Sequence, residues 1–126
     1  MNDKEERTKE FKLRIYRYTL RLIKFLSLLP KGPVIREIVS QLMRSGTSMG
    51  ANYFEAQSAS SKKDYQNFFN YSLKSASETL FWLAVLRDSE LILQDSREEC
   101  EWLLSETKEL ANIFASSILT MKNRKR

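Results

Sequence analysis

The chain has 126 residues and a net charge of +5, with 42% hydrophobic and 29% charged residues, which is typical of one folded domain. It contains no histidine and one cysteine, which excludes imidazole catalysis, histidine metal sites, internal disulfides and cysteine zinc sites. Three glycines and two prolines are too few for the turns of an all-β protein, so we expect one helical domain over 1–126 without a metal or cofactor.

A first helix is predicted over about residues 5–29, and its apolar residues fall on two nearly opposite sides. The side expected to face the core holds Phe11, Ile15, Tyr18, Leu22 and Leu29. The other side, called here the outer apolar face, consists of Leu13, Tyr16, Leu20 and Ile23. A helix of a monomeric bundle needs one apolar side, and a second marks an interface, so we expect a homo-oligomer. The alternative is an irregular bundle in which this helix is deeply buried.

The same helix carries a row of cations between its two apolar sides, called here the basic row. It consists of Arg14, Arg17, Arg21 and Lys24. The tail 122–126 adds Lys122, Arg124, Lys125 and Arg126. Such a surface favours an anionic partner, with nucleic acid phosphates as the first candidate. The alternative is a solvated helix face and a solubilising tail.

A second helix is predicted over about residues 34–57, after the break formed by Pro30, Gly32 and Pro33. Its middle contains Gly46 and Gly50, a spacing that allows a neighbouring backbone to approach closely in a bundle. No strand or Gly-Lys-Ser/Thr sequence accompanies these glycines, so this is not a phosphate-binding loop.

A third helix is predicted over about 61–88, with Ser60 or Ser61 as its N-cap. Three of its large apolar residues lie off the core side and extend the expected oligomer interface: Tyr71, Trp82 and Val85. Polar residues of the second and third helices are expected to form a network that fixes their register. This network would contain Arg44, Asn52, Glu55, Lys74 and Glu78.

A fourth helix is predicted over about 96–122, capped by Asp95 or Ser96. Because three short connections join four long helices, neighbouring helices should run antiparallel. The fold class is therefore an all-α, up-down-up-down antiparallel four-helix bundle. A di-iron centre of the type found in some bundles would need histidine, which the chain lacks.

Two sequence motifs resemble those of a known family. The first runs from Gln41 to Ala56 and reads QLMRSGTSMGANYFEA. The second consists of Ser61–Tyr65, Leu73–Thr79 and Trp82-Leu83. Together they are similar to the four-helix bundle proteins, also called 23S rRNA intervening-sequence proteins. The resemblance implies a bundle that assembles as a ring-like homopentamer and provides no catalytic residues to transfer.

The same resemblance suggests two kinds of partner. Some members of the family are encoded in insertions within ribosomal RNA genes, which suggests association with RNA. The accessory proteins of diversity-generating retroelements are similar, and their expected partners are a reverse transcriptase and nucleic acid. We therefore expect a non-enzymatic, homopentameric, RNA-binding basic protein. The alternative is an interaction scaffold or accessory subunit whose basic row meets an acidic protein or another subunit's Glu98, Glu99 and Glu101.

The sequence contains no recognisable secretion signal or membrane-spanning segment and no histidine for catalysis. The charged N-terminus has no following apolar core, and the most apolar run, 20–29, is too short and too charged to span a membrane. Together with the lone cysteine, this predicts a cytoplasmic protein without a membrane partner. An enzyme would have to rely on a Lys–Glu or Ser–Lys arrangement, so no enzymatic activity is expected.

Overall fold

The computed structural model describes residues 2–124 and contains four α-helices joined by short connections. The helices span Asp3–Ser27 (α1), Pro33–Ala56 (α2), Lys62–Asp88 (α3) and Gln94–Asn123 (α4). Over residues 2–124 no segment forms a β-strand. The chain is therefore an all-α four-helix bundle, as predicted. None of these four helices is both long and apolar enough to cross a bilayer.

Four aromatic side chains at one end of the bundle show how the helices run. Phe11, near the start of α1, packs against Tyr53 near the end of α2, with ring centroids 4.9 Å apart. Tyr53 also contacts Phe69, near the start of α3, and Phe69 contacts Phe114, near the end of α4. The Phe11 and Phe114 rings, 5.7 Å apart, close the cycle. Starts and ends of helices therefore alternate around the bundle, which is the up-down-up-down arrangement.

The helix starts follow local sequence signals, with one exception. Pro33 occupies the first turn of α2, and the Ser61 side chain accepts a hydrogen bond from the Asp64 amide and caps α3, as predicted. Helix α4 begins at Gln94 with Leu93 as its N-cap, so the predicted cap at Asp95 or Ser96 is wrong. Buried Ile92 fixes the chain just before α4, so the helix starts earlier. Asp95 then lies in the first turn, where its carboxylate faces the positive helix dipole.

The two glycines of α2 pack against α1 rather than against a neighbouring backbone. A Cβ at Gly46 would lie 2.2 Å from Cδ2 of Leu22, and one at Gly50 would lie 2.8 Å from Cγ2 of Ile15. Leu22 and Ile15 are themselves buried in the core. The glycines thus form a notch that receives two core side chains of α1, which otherwise packs less closely than α2 and α3 pack together.

Candidate subunit and nucleic-acid interface

The outer apolar face of α1 points to solvent. Its four side chains are Leu13, Tyr16, Leu20 and Ile23, and they are 45%, 56%, 51% and 38% exposed. On α2, Met43 and Phe54 are also exposed. Residues three or four positions apart share one side of a helix, so Met43, three before Gly46, and Phe54, four after Gly50, lie on the side of α2 that packs against α1. Several large apolar side chains therefore lie together on one side of the bundle without cover from their own chain.

A second apolar surface lies on α3, which is diagonal to α1 in the bundle. Tyr71 is 52% exposed and touches Phe68 edge-on. Trp82 and Val85 are only partly exposed, because both pack against the edge of the core. Phe81, which is 58% exposed, stacks edge-on against Trp82 at 5.1 Å and extends this surface. Phe81 was not among the predicted interface residues, although it adjoins Trp82 in the sequence.

Half of the basic row is paired with carboxylates of α4. Arg14 donates two hydrogen bonds to Glu106, at 2.8 and 2.7 Å, and a third to Glu109 at 3.2 Å. Arg21 donates two to Glu99, at 2.6 and 2.8 Å. The hydrogen bonds to Glu106 and Glu99 raise the pKa of the two guanidinium groups above the usual arginine value. Arg14 and Arg21 are therefore largely neutralised within the chain.

In the alternative interpretation as a scaffold, Glu99 is one candidate partner for the basic row of another subunit, but Arg21 of the same chain binds it. The spacing of the charges could have revealed this. Arg14 and Arg21 are seven residues apart on α1, as are Glu99 and Glu106 on α4. Seven residues are about two helical turns, so in an antiparallel pair both arginines meet a carboxylate at one register.

Arg17 and Lys24, the other two members of the basic row, form no ion pair among residues 2–124. Both line a groove between α1 and α4 that has two parts, of about 400 and 710 Å³. In this groove the guanidinium carbon of Arg21 lies 3.5 Å from the centroid of the exposed Trp102 ring, a cation–π contact that sequence analysis missed. The groove combines free cations with apolar side chains from the outer face of α1, including Leu13 and Leu20.

The basic tail adjoins the start of α1, as the topology requires. Arg124 and Lys4 line one groove at that end of the bundle, and Lys122 is exposed in the last turn of α4. Lys125 and Arg126 lie outside the described residues.

The predicted polar network between α2 and α3 is smaller than expected. Arg44 forms an ion pair with Glu78 and also bonds Gln41. Asn52 instead donates to the carbonyl and hydroxyl oxygens of Ser48, one turn earlier on its own helix. Two further members, Glu55 and Lys74, make no side-chain hydrogen bond or ion pair with residues 2–124.

Hydroxyl groups make the buried polar contacts between α2 and α3. The Thr79 hydroxyl lies 2.9 Å from that of Ser45, and the Ser72 hydroxyl donates to the carbonyl of Met49 at 2.8 Å. Ser45, Ser72 and Thr79 are fully buried. The signal for them in the sequence is the spacing of Ser72 and Thr79, seven residues apart on the core side of α3.

Within residues 2–124, no three acidic or thiol side chains converge to hold a metal ion. The single thiol, Cys100, is buried, and burial raises its pKa to about 11, which disfavours the reactive thiolate. The exposed features are instead broad apolar faces bordered by cations.

Comparisons with known proteins agree with this fold. One solved structure, a protein of unknown function from the S23 ribosomal protein family of Bacteroides thetaiotaomicron, is 29% identical, with a TM-score of 0.74. The alignment covers 88% of this chain and 96% of that one. A search of curated proteins finds no match. The family model described as 23S rRNA-intervening sequence protein matches residues 6–116. The chain therefore belongs to the 23S rRNA-intervening sequence protein family.

Proposed function

We propose that this protein is a non-enzymatic homo-oligomer that binds RNA through phosphate contacts. The observation that carries the proposal is the outer apolar face of α1, four large side chains left to solvent beside Arg17 and Lys24. Association of chains would cover the apolar side chains and bring the cations of several copies together. A field summed in this way attracts a polyanion more strongly than one chain can.

The position of the apolar surfaces favours a ring. One is on α1 and the other is on α3, across the bundle. Two different surfaces on one subunit suit head-to-tail contacts, which close into rings when the rotation allows, whereas a twofold dimer uses one surface twice. The number five proposed for this ring is what the family resemblance implies.

The arginine pairing narrows the set of phosphate contacts. Arg14 and Arg21 are held by carboxylates of α4, so we assign them to packing of α1 on α4. Phosphate contacts are assigned to Arg17, Lys24, Lys122 and Arg124. These residues would neutralise charge without distinguishing bases, because phosphate contacts carry no sequence information.

The oligomer is tested by light scattering after gel filtration. We expect a mass several times the 14.8 kDa of one chain, and a shift to about one chain for Leu20→Glu, which places a charge in the outer apolar face. Leu119→Glu is the matched control, since Leu119 is a similarly exposed leucine on α4 and should leave the mass unchanged. A wild-type mass near 14.8 kDa at micromolar concentration would contradict the proposal.

RNA binding is tested by fluorescence anisotropy with a labelled single-stranded RNA over a range of salt concentrations. The logarithm of the association constant should fall with that of salt by about 0.7 for each phosphate neutralised. Arg17→Gln should make this dependence less steep. A flat salt dependence, or no binding at low salt, would reject RNA as the ligand.

The pairing within the basic row also favours a second candidate, an interaction scaffold or accessory subunit, for example of a reverse transcriptase. Carboxylates of α4 already lower the positive charge of the groove, and Asp95 adds another. Pull-downs with and without nuclease separate the two candidates, because a partner bound through RNA is lost after digestion and a direct protein partner is retained.

A further inference from the structure

A groove at the tail end of the bundle has a different chemistry from the groove between α1 and α4. It lies where α1 and α3 begin and α4 ends, and has a volume of about 290 Å³. Two cations line it, Lys4 and Arg124. Its other polar lining residues all carry a hydroxyl group: Tyr65, Ser116, Ser117 and Thr120. Among residues 2–124 no carboxylate lines this groove, whereas Glu106, Glu99 and Asp95 line the other.

Most hydroxyls of this groove are available to a ligand. The Thr120 hydroxyl donates to the carbonyl of Ser116 at 3.1 Å. The hydroxyls of Tyr65, Ser116 and Ser117 make no hydrogen bond to other residues of 2–124. Each can donate a hydrogen to an oxygen of a bound anion without breaking a bond within the protein.

The Tyr65 hydroxyl is held in place by the aromatic end of the core. The Tyr65 ring lies 4.8 Å from that of Phe69, which packs in turn against Tyr53 and Phe114. A ring fixed in this way presents its hydroxyl at low entropic cost, which favours binding.

Helix dipoles and flanking charges set the field at the groove. The starts of α1 and α3 place two positive dipole ends near it, and the end of α4 places one negative end there. Lys122, in the last turn of α4, offsets that negative end. Acidic residues of the first turns, Asp3, Glu5 and Glu6 on α1 and Asp64 on α3, offset the two positive dipole ends. The charged side chains that line the groove itself, Lys4 and Arg124, are both cations.

We propose that this groove binds a phosphate monoester, such as the phosphate at the 5′ end of an RNA strand. A monoester carries a charge near −2 at neutral pH and three strong acceptor oxygens. Two cations and three available hydroxyls match this group better than a phosphodiester of the chain interior, which carries one charge. The choice of RNA rests on the proposed function, whereas the monoester site does not.

The site itself is tested by calorimetric titration of the full-length protein with uridine 5′-monophosphate, with uridine as the control ligand. We expect saturable binding of the monophosphate and none of uridine. Arg124→Gln and Lys4→Gln should each weaken binding about tenfold, the loss of one charge-assisted hydrogen bond. Tyr65→Phe keeps the ring that packs on Phe69 and should weaken binding about threefold to tenfold.

Arg36→Gln is the matched charge control, because Arg36 lines a groove at the opposite end of the bundle and should have no effect. Equal binding of monophosphate and uridine, or binding that is indifferent to Arg124 and Tyr65, would overturn the site.

A second measurement separates this site from the proposed function. The same RNA oligonucleotide is compared with a 5′-phosphate and with a 5′-hydroxyl at fixed salt, and we expect about tenfold tighter binding of the phosphorylated form. Equal, salt-sensitive binding of both would overturn recognition of the RNA end and leave the proposed function standing. Binding of uridine monophosphate with no binding of either RNA would overturn the proposed function and assign the groove to a small phosphate ester.

Discussion

Replacement of Gly46 by alanine tests whether the notch on α2 holds α1 in place. The new Cβ would lie 2.2 Å from Cδ2 of Leu22 and 3.6 Å from its Cγ. Leu22 is completely buried, so the clash cannot be relieved by turning the side chain to solvent. Either Leu22 adopts a strained rotamer or α1 moves away from α2.

Two opposing effects set the magnitude. Overpacking of a close-packed core costs about 1–3 kcal/mol, whereas alanine in place of glycine within a helix contributes about 1 kcal/mol of stability. With a contact this short we expect the overpacking cost to be near its upper range, for a net destabilisation of about 1–2 kcal/mol. Ala51→Gly, at an exposed position of α2, is the control for helix propensity and should cost about 1 kcal/mol.

The assay is urea unfolding followed by circular dichroism at one fixed protein concentration, because the stability of an oligomer depends on concentration. Leu22→Ala alone should cost about 2–5 kcal/mol through the cavity it leaves. Combined with Gly46→Ala it should cost at least about 1 kcal/mol less than the sum, since the new methyl group fills part of that cavity. Additive effects, or a more stable Gly46→Ala variant, would refute the role of the notch.

Three further predictions concern polar groups. Burial raises the pKa of Tyr53 to about 12 and also raises that of Tyr18. Above pH 10 both tyrosines keep their protons in the folded state and lose them on unfolding, so the free energy of unfolding should fall from pH 10 to about 12. Tyr18→Phe should make that fall less steep in urea titrations across this range. Thr79→Val leaves the buried hydroxyl of Ser45 without its partner and should lower the free energy of unfolding by about 1–3 kcal/mol. An unchanged free energy of unfolding would show that this hydrogen bond does not stabilise the bundle. Arg14→Gln should lower the free energy of unfolding by about 1 kcal/mol because it breaks the ion pair with Glu106, whereas Arg17→Gln should leave that free energy unchanged. Equal effects of the two substitutions would contradict the distinction between paired and unpaired cations in the basic row.

The helices could be predicted because their signals are local. Apolar residues every three or four positions, the break at Pro30–Pro33 and the cap at Ser61 each act within a few residues of the chain. The exposure of the outer apolar face of α1 followed from the same periodicity, since a helix cannot turn both sides to one core. The largest differences are of two residues: α1 spans Asp3–Ser27 rather than about 5–29, and α4 starts at Gln94 rather than about 96, directly after buried Ile92.

The contacts between helices could not be predicted in this way, because they depend on register. Nothing within α1 itself pairs with the arginines of the basic row, and only the antiparallel placement of α4 puts Glu99 and Glu106 against Arg21 and Arg14. Likewise, Gly46 indicates that another helix approaches α2 closely at this point, but the sequence does not identify Leu22 as the side chain that fills the space. Local periodicity indicates which side of a helix is buried, whereas the register between helices determines which residue of the neighbouring helix each side chain contacts.

If the chains associate as proposed, the weaker packing of α1 links the folding of this helix to that association. Helix α1 is held to α2 through the glycine notch and the Phe11–Tyr53 contact, and to α4 through Arg14, Arg21 and the buried hydrogen bond between Tyr18 and Thr107. Its outer apolar face is exposed in the single chain and, in the proposed oligomer, would be covered by another copy. Anything that binds the folded state stabilises it by mass action, so the melting temperature should rise with protein concentration, and Leu20→Glu should abolish that rise. If melting were independent of concentration in the wild type, α1 would be held by its own bundle alone, and its apolar exterior would need a different explanation.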